Sequence, residues 1–403
     1  MPPRVAFVFT HRIQYFANLL DELHRGGRIE PVAIYAHRTE GFTDRGFGKR
    51  ISWDNRPGTA FREVLLPHSG TRRHGGFFRS FDTALRAALD GLRPACVHLN
   101  GYAQAIQWQV WLWARGRRIP ILARGDGDTL GPGAGRRSKL RNVPALIFTR
   151  WADHVFFQGE ENRKYWLSRG ASPGKMSWLP CVSDTAVFHR SAFQDEASRR
   201  MFRQVNGADP HDVVFVVSGK LEARKRPSDA LHMLAQNPTK EIKVWFLGSG
   251  PLESELKALA GALGVAARVH WWGFRNQTDM PPILQAADVL LHLSEADPWP
   301  YSVLDGAASG LALLLSDRTG SHPDWAGAPS ACRVFPCGNV NELVRAACAL
   351  HGDAALRVQL QQAATAKCAR YTESEFRDRI EPVILRLTSG FGGSASKAKL
   401  TIT

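Results

Sequence analysis

Short apolar runs alternate with amphipathic segments along most of the chain. In the first half, uninterrupted apolar runs typical of buried strands are followed by segments whose apolar residues recur with helical spacing. The strand-like runs span residues 5–10, 31–36, 95–99, 119–124 and 154–158, and the helix-like segments span 15–25, 103–115 and 160–169. Fully apolar strands that alternate with helices predict a parallel sheet covered on both faces. We therefore expect a doubly wound α/β domain here.

The same alternation restarts in the second half, after a break. Residues 180–212 carry proline and a charged stretch at 195–203, which is typical of a linker. Strand-like runs then span 213–218, 242–247, 268–273, 288–293 and 311–316, and helix-like segments span 228–236, 252–263 and 280–287. This pattern predicts a second Rossmann-like domain, with the cleft between the two domains as the site for a pair of substrates.

The domain boundaries follow from this pattern. We expect a first Rossmann-like domain over residues 1–190 and a second over 191–388, with the last helix able to pack back on the first domain. Residues 389–403 are rich in Gly, Ser and Lys, which predicts a disordered tail.

Length and composition fit a protein of this kind. A chain of 403 residues is too long for one ordinary core. A hydrophobic fraction of 44% and a charged fraction of 22% are typical of soluble globular proteins. Because the start of the chain has no signal-peptide layout and no run could span a bilayer, we expect a cytoplasmic protein, at most peripheral on the inner face of the cell membrane. The six cysteines lack metal-ligand spacing, so no metal site is expected.

Positive charge is concentrated in the first half. Residues 1–190 hold 29 Lys and Arg against 15 Asp and Glu, whereas residues 191–403 hold 23 against 22. Many of these cations lie near aromatic residues, namely Phe77, Phe78, Trp108, Trp111 and Trp113. Such a field attracts anionic lipid, acidic glycan or nucleic acid, although a solvated face without a partner would have the same composition.

Two carboxylates lie eight positions apart beyond the apolar run at 288–293. These are Asp297 and Asp305, and the segment after Ser302 reads as a short helix that ends at Gly310. Open α/β sheets bind ligands where a strand end feeds a helix start, because free N–H groups and the helix dipole point into one crevice. Phosphates and polyols suit such a place, but the acids could also simply cap a loop.

Three glycine-containing loops follow neighbouring strands. The first begins with Gly219 and Lys220 and continues to Lys225, and it combines small residues with the cations that a diphosphate needs. The others lie at 248–251 and 273–276. Because all three follow strands, they can converge at one sheet edge, although plain turns would also explain the glycines.

These residues together resemble the nucleotide-sugar-binding domain of glycosyltransferase family 4, also described as glycosyl transferases group 1. The resemblance covers residues 213–317 through the loop motifs at 219–227 and 247–251, the runs at 272–274 and 287–289, and the two acids. The first half is similar more loosely, at 11–15, 98–102 and 184–188. The resemblance implies the GT-B fold, in which two Rossmann-like domains face each other across a cleft.

The resemblance also implies roles for individual residues. The donor diphosphate would be bound by Gly219, Lys220, Lys225, Tyr301, Ser302 and Val303, and the ribose and base by Asp305, Gly250, Gly273 and Phe274. The catalytic residues would be Asp297, Asn100 and His98, and the acceptor-side loop would contain His11, Gln14 and Asp126. No metal is implied, since cations and oriented N–H groups can stabilise a leaving diphosphate.

The chain departs from the family pattern at three places. The family usually has Glu at both acid positions, and Asp is one methylene shorter. The loop after the first strand lacks glycine. Asn100 stands where a His is expected near the reacting centre, with His98 two positions earlier.

The function implied is a retaining, hexosyltransferase-like enzyme of class EC 2.4. It would move a sugar from a nucleotide-diphosphate sugar to a hydroxyl of a glycan or lipid-linked acceptor, in cell-envelope glycan, polysaccharide or glycolipid synthesis. One alternative is a GT-B-fold protein that binds a nucleotide or glycan without turnover. The second alternative is nucleic-acid binding through the basic half. We do not expect it, because the sequence contains no recognised nucleic-acid-binding motif.

Overall fold

The computed structural model describes residues 1–37, 43–44, 49–50, 59–67, 76–130, 139–183 and 185–389. The predicted disordered tail lies, apart from Ser389, outside the described residues.

The strands form two parallel sheets and one short antiparallel pair. They are β1 (Arg4–Phe9), β2 (Glu30–Tyr35), β3 (Thr43–Asp44), β4 (Lys49–Arg50), β5 (Arg62–Leu65), β6 (Cys96–Asn100), β7 (Ile121–Arg124), β8 (His154–Phe157), β9 (Met176–Trp178), β10 (Val213–Ser218), β11 (Ile242–Leu247), β12 (Val269–Gly273), β13 (Val289–His292), β14 (Ala312–Ser316) and β15 (Cys332–Phe335). The first sheet has the order β5-β2-β1-β6-β7-β8-β9, and the second has the order β12-β11-β10-β13-β14-β15. Strands β3 and β4 form the antiparallel pair.

Helices cover the sheets and connect their strands. They are α1 (Gln14–Gly26), α2 (Leu85–Leu92), α3 (Ala105–Arg117), α4 (Lys139–Arg150), α5 (Glu160–Ser168), α6 (Thr185–His189), α7 (Glu196–Val205), α8 (Ser228–Gln236), α9 (Glu253–Ala262), α10 (Met280–Ala286), α11 (Tyr301–Ala308), α12 (His322–Ala326), α13 (Val340–Gly352), α14 (Ala354–Cys368) and α15 (Glu373–Thr388).

The predicted fold class is confirmed. Each sheet has buried side chains on both faces, and two separate core clusters flank each sheet. Strand order reverses beside the first strand of each sheet, where β1 pairs with both β2 and β6, and β10 pairs with both β11 and β13. Such reversals open a crevice at the carboxyl ends of the strands. The two reversals therefore place a crevice on each half of the molecule.

The charged stretch at 195–203 is not a linker, as the sequence suggested, but part of helix α7. Asp195 caps this helix by accepting a hydrogen bond of 2.8 Å from the Ser198 amide. Arg203 is buried and donates 2.6 Å hydrogen bonds to the carbonyl groups of Ala286 and Asp212, and it lies 3.0 Å from the Asp288 carboxylate. Asp195 thus caps the helix, and Arg203 forms an ion pair with Asp288. A high fraction of charged residues in this stretch therefore did not mean that all of them are exposed to solvent.

The last helix, α15, packs on the first sheet rather than the second. Its apolar residues Phe376, Ile380 and Ile384 are fully buried in the same cluster as Val5 and Phe7 of β1. Helix α15 also contacts α1 directly. The chain therefore crosses between the two sheets twice.

Candidate active site

A cleft of about 400 Å³ lies between the carboxyl ends of the two sheets. Its walls come from the loops that follow β10, β11, β12 and β13, and the first half contributes Tyr15 and Asp126. A volume of this size suits a small-molecule ligand. Nine of the residues predicted to have a function line the cleft: Asp126, Gly219, Lys220, Lys225, Phe274, Asp297, Tyr301, Ser302 and Asp305.

Two glycine turns meet at the edge of the second sheet. A Cβ atom on Gly248 would lie 1.8 Å from the carbonyl oxygen of Gly219, so only glycine lets the loops after β10 and β11 approach this closely. A Cβ on Gly250 would lie 2.4 Å from the carbonyl oxygen of Leu221. Gly250 therefore serves loop packing and, like Gly273 at the end of β12, is not among the residues that line the cleft. The contacts of these two glycines with ribose or base stay predictions.

Three cationic side chains from the loop after β10 line the cleft, namely Lys220, Arg224 and Lys225. Arg224 donates a 2.9 Å hydrogen bond from Nη1 to the carbonyl oxygen of Ala296, and its Nη2 lies 2.7 Å from Glu222 Oε1. Because Ala296 precedes Asp297, this contact ties the cationic loop to the loop that carries the first acid. The side chain of Lys225 donates directly to Asp297 Oδ2.

Asp297 is 9% exposed and has two nitrogen neighbours. Besides Lys225, the Nε2 atom of His292 lies 3.4 Å from Asp297 Oδ2. Burial alone would raise the pKa of Asp297, but His292 and Lys225 outweigh burial and hold that pKa well below its usual range. The backbone is fixed as well, since the Gly320 amide donates a 2.8 Å hydrogen bond to the Asp297 carbonyl. Asp297 is therefore a carboxylate held ionised at the edge of the cleft.

Helix α11 begins at the cleft. Pro300 is its N-cap, and Tyr301 and Ser302 of its first turn line the cleft. A helix start presents free N–H groups and the positive end of the dipole, which favours an anion. Val303 is different, because its side chain is fully buried and its amide donates a 3.2 Å hydrogen bond to the Pro300 carbonyl. The contact of Val303 with the diphosphate, expected through its backbone, stays a prediction.

Asp305 lies one turn further along α11 and is 5% exposed. Its Oδ1 atom has no hydrogen-bond partner within the part of the chain that the structure describes. Burial raises the pKa of Asp305 to about 7, and only a contact with Ser183 opposes that shift. Because a buried acceptor without a donor costs free energy, a ligand hydroxyl that donated to Oδ1 would be favoured.

Comparison with known proteins shows that much of this chain is similar to glycosyltransferases. Residues 198–367 match the family Glycosyl transferases group 1. The chain is 26% identical over 282 residues to the D-inositol 3-phosphate glycosyltransferases of Mycobacterium bovis and Mycobacterium tuberculosis, an alignment that covers 64% of this chain and 56% of each of theirs. The chain therefore spans about half the length of the curated relatives it matches.

Solved structures agree on the fold. Sucrose-phosphate synthase from Thermosynechococcus elongatus superposes with a TM-score of 0.75 at 16% identity, covering 96% of this chain and 100% of that one. HepE from Anabaena, solved in complex with UDP, gives a TM-score of 0.72 at 14% identity and covers 95% of this chain and 100% of its own. These likenesses show that the chain has the GT-B fold of such glycosyltransferases.

Among the residues that the structure describes in the first half, Tyr15 and Asp126 line the cleft. Asp126 follows β7, is exposed, and accepts a 2.6 Å hydrogen bond from Gln158 Nε2. Tyr15 lies in the first turn of α1, and its ring stacks on that of Tyr301, with centroids 4.2 Å apart. Asp126 thus lines the cleft from the first half, and its place in an acceptor-side loop stays a prediction.

His98 does not reach the cleft, which corrects its predicted catalytic role. It is fully buried in β6, and its ring centroid lies 5.0 Å from that of Phe7 and 6.5 Å from that of Phe156. Burial lowers the pKa of His98 to about 3, with Arg124 acting in the same direction. A side chain with no exposed surface cannot touch a substrate, so His98 is a core residue.

Of the remaining first-half candidates, Asn100 and His11 are near the sheet edge and are not among the described residues that line the cleft. Asn100 ends β6, where it is opposite Arg124 in the sheet register. His11 lies in the loop after β1, with its Nδ1 2.9 Å from Thr10 Oγ1. Gln14 is the first residue of α1 and is described through its backbone. Their roles stay predictions.

Several cleft residues were missed by the sequence analysis. Tyr15 was visible only as part of a loosely matching run, and Arg224 as one member of a basic cluster. His292, which is buried beside Asp297, was also missed because it belongs to no ligand motif. Arg275 and Gln277 line the cleft beside Phe274, but loop residues of these types carry no spacing signature.

Proposed function

We propose that the protein is a retaining glycosyltransferase of family 4 that moves a sugar from a nucleotide-diphosphate sugar to a hydroxyl acceptor. The observation that carries this proposal is the cleft in which Lys220, Lys225 and the start of α11 flank the acids Asp297 and Asp305. The family match, the names of the relatives and the UDP complex of HepE support it.

Each part of the cleft suits one part of such a donor. The diphosphate would lie against Lys220, Lys225 and the first turn of α11, where positive charge offsets its own. The ribose hydroxyls would donate to the unpartnered oxygen of Asp305. Asp297 would contact the sugar, close to the bond that breaks. Fixed cations and dipoles of this kind stabilise charge that develops on a leaving diphosphate.

The first test is binding of nucleotides to the purified chain. A ligand at a hundred times its dissociation constant adds about 2.7 kcal/mol to stability, which is readily seen as a rise in melting temperature. We expect one of UDP, GDP and ADP, with its sugar conjugates, to stabilise the wild type and not Lys225→Ala. If no nucleotide stabilises the wild type, the proposed function is wrong.

Turnover separates the enzyme from a binding protein of the same fold. With the donor found above, the wild type should transfer or slowly hydrolyse the sugar, and Asp297→Ala should not. The anomer of the first product, read by proton NMR before mutarotation, tests retention. Binding without any turnover would instead favour the alternative of a GT-B-fold binding protein.

We propose further that no divalent metal is needed. The loop after β10 brings three cations to the cleft, and the start of α11 adds the positive end of a helix dipole. Together these charges can replace a metal ion at a diphosphate. Turnover should therefore continue unchanged in EDTA, and restoration by magnesium of activity lost in EDTA would contradict the proposal.

The acceptor is proposed to be a glycan or lipid-linked hydroxyl at an anionic membrane. No described helix has the length and apolar composition needed to cross a bilayer. Trp111 and Trp113, two of the aromatic residues that suggested a surface, are in fact buried. Apart from Met1, the large apolar side chains exposed in the described part of the first half are those of Leu65, Phe77, Phe78, Phe81, Leu112, Val143, Leu146, Ile147 and Trp151.

Several of these residues share a face with arginines. Leu112 projects from α3, and Ile147 from α4, and the Arg115 guanidinium lies 4.6 Å from the ring centre of Trp151 at the end of α4. The sequence contains no acidic residue between 91 and 125 or between 129 and 152. Apolar side chains among arginines suit the interface of an anionic bilayer, where each cation adds about 1 kcal/mol.

Vesicle sedimentation tests this attachment. We expect binding to phosphatidylglycerol vesicles at low salt, weaker binding at high salt, and little binding to phosphatidylcholine. Replacing both Ile147 and Trp151 by Ser should weaken binding. The matched control replaces Met201 and Val205, which are exposed on α7 of the second half, by Ser. Equal binding by both double variants would remove this face from the proposal.

A further inference from the structure

A buried histidine lies beneath the first acid of the cleft. His292 is the last residue of β13 and is 3% exposed. Its Nε2 lies 3.4 Å from Asp297 Oδ2, and in the described residues this nitrogen has no hydrogen-bond partner. A buried polar atom without a partner is unusual, because it loses its hydrogen bonds to water. The Asp297 carboxylate is close enough to become the hydrogen-bond acceptor for this nitrogen.

The same oxygen of Asp297 also accepts from Lys225. The two nitrogen neighbours come from different elements, since Lys225 lies in the loop after β10 and His292 in β13. The side chains of Lys225 and Asp297 are 16% and 12% exposed, and that of His292 is 4% exposed. Asp297 therefore has one partner at the mouth of the cleft and one underneath.

Lys225 cannot serve Asp297 and a diphosphate equally well. In the function proposed above, on which this inference rests, the diphosphate competes for the Lys225 ammonium group. If Lys225 turned toward the diphosphate, Asp297 would become a buried charge without a cation, which is strongly unfavourable. A second donor that stays in place would reduce that penalty.

We propose that His292 is a positioning residue that holds the Asp297 carboxylate when Lys225 engages the donor diphosphate. In the tautomer with hydrogen on Nε2, the neutral imidazole donates to Asp297 Oδ2 after a closure of a few tenths of an ångström. The residue is fixed by the sheet, because β13 pairs with β14 and His292 is opposite Leu315. The short Asp side chain suits this arrangement, since its carboxylate stays close to the strand.

A double-mutant cycle with a nucleoside diphosphate tests this role without turnover. The probe is UDP, or GDP or ADP if the panel above selects one of these, and the measurement is its dissociation constant by calorimetry. His292→Leu should weaken binding about tenfold, because a charge-assisted hydrogen bond is lost when Lys225 leaves Asp297. In the Asp297→Asn background, where no charge is left behind, His292→Leu should change binding less than twofold.

Two further variants keep the test decisive. His292→Gln retains an N–H donor at similar reach and should bind within about threefold of the wild type. His292→Met is similar in length without a donor, and takes the place of the leucine variant if that chain does not fold.

The outcomes are distinguishable. Equal losses from His292→Leu in both backgrounds would mean that the histidine only fills space, and would overturn the inference alone. A glutamine variant as weak as the leucine variant would do the same. Absence of binding by the wild type to all three nucleotides would overturn the proposed function and this inference together.

Discussion

The rings of Tyr15 and Tyr301 stack across the cleft, with centroids 4.2 Å apart and planes 7° from parallel. Tyr15 lies in the first turn of α1, which follows β1 of the first sheet, and Tyr301 is the first residue of α11 in the second half. Both residues line the cleft. The stack therefore joins the two halves at the point where a donor diphosphate would meet the start of α11.

Loss of this stack should weaken donor binding. Tyr15→Ala removes a ring contact worth about 0.5–1.5 kcal/mol beyond burial, so we expect a rise in the donor dissociation constant of about threefold to tenfold. Tyr15→Phe keeps the ring and should bind like the wild type. The check is titration of both variants with the nucleotide that stabilises the wild type. Equal weakening by both would attribute the effect to the hydroxyl instead.

The Lys225–Asp297 pair should affect stability as well as binding. Lys225→Met leaves a carboxylate that is 12% exposed without its cation, so we expect the free energy of unfolding to fall by about 1–3 kcal/mol. Adding Asp297→Asn should recover most of that loss, because the unpaired charge is then gone. Urea unfolding near pH 7 measures both. The control is Lys240→Met on an exposed residue, which should change stability by less than about 0.5 kcal/mol.

The fold class was predictable because most strands of both sheets are runs of apolar residues. Strands with few apolar residues were not predicted from the sequence, and β5 is an example. Its four residues are largely exposed at the edge of the first sheet, so no apolar run marks it. Helix α7 was hidden by its charges, of which Arg203 is in fact buried. Tertiary packing, rather than local pattern, decides such elements.

Most predicted residues that line the cleft belong to the second half, and in the first half Asp126 is the one described example. Asp297 lies in the loop after β13, and Asp305 lies in α11, which directly follows that loop. Both acids therefore reach the cleft through neighbouring segments, so their sequence spacing was enough to predict that they meet. His98 failed for the opposite reason. In a strand that is buried on both faces, alternation does not tell which side chains face a site, and Cys96 through Leu99 are all buried. Tyr15 was missed because its partner, Tyr301, is far away in sequence.

Asp305 should make stability depend on pH in a specific window. The usual pKa of an Asp in an unfolded chain is about 3.9, and burial raises the pKa of Asp305 to about 7 in the fold. Between these values the folded state binds more protons than the unfolded state. The contribution of Asp305 to stability therefore falls as pH rises from about 4 to about 7.

Asp305→Asn should remove that dependence. Because one pKa unit corresponds to about 1.4 kcal/mol and burial raises the pKa by about three units, we expect the variant to exceed the wild type in free energy of unfolding by up to about 4 kcal/mol at pH 8, with the difference vanishing near pH 4. The same variant should bind nucleotide less tightly, since the amide is a weaker acceptor for ribose hydroxyls. Urea unfolding at several pH values gives the first result. If the free energy of unfolding changed with pH in the same way for the wild type and for Asp305→Asn, the predicted role of Asp305 would be wrong.

Gly159 allows a contact between the two halves that a methyl group should block. Gly159 precedes α5 of the first half, and Asp324 of α12 in the second half accepts a 3.0 Å hydrogen bond from the Glu160 amide. A Cβ on Gly159 would lie 2.2 Å from Asp324 Oδ2 and 2.9 Å from Nε1 of Trp299, which lines the cleft. Gly159→Ala must therefore move the halves apart or displace Asp324.

Either response should reduce turnover. We expect kcat/KM to fall about tenfold or more, because a displacement of about 1 Å at a site can be that costly. Gly116→Ala in α3 is the matched control, since nothing lies within 4 Å of its added Cβ, and it should be as active as the wild type. Small-angle scattering tells the two responses apart, because only separation of the halves increases the radius of gyration. Full activity in Gly159→Ala would show that turnover does not depend on the contact between the α5 amide and Asp324.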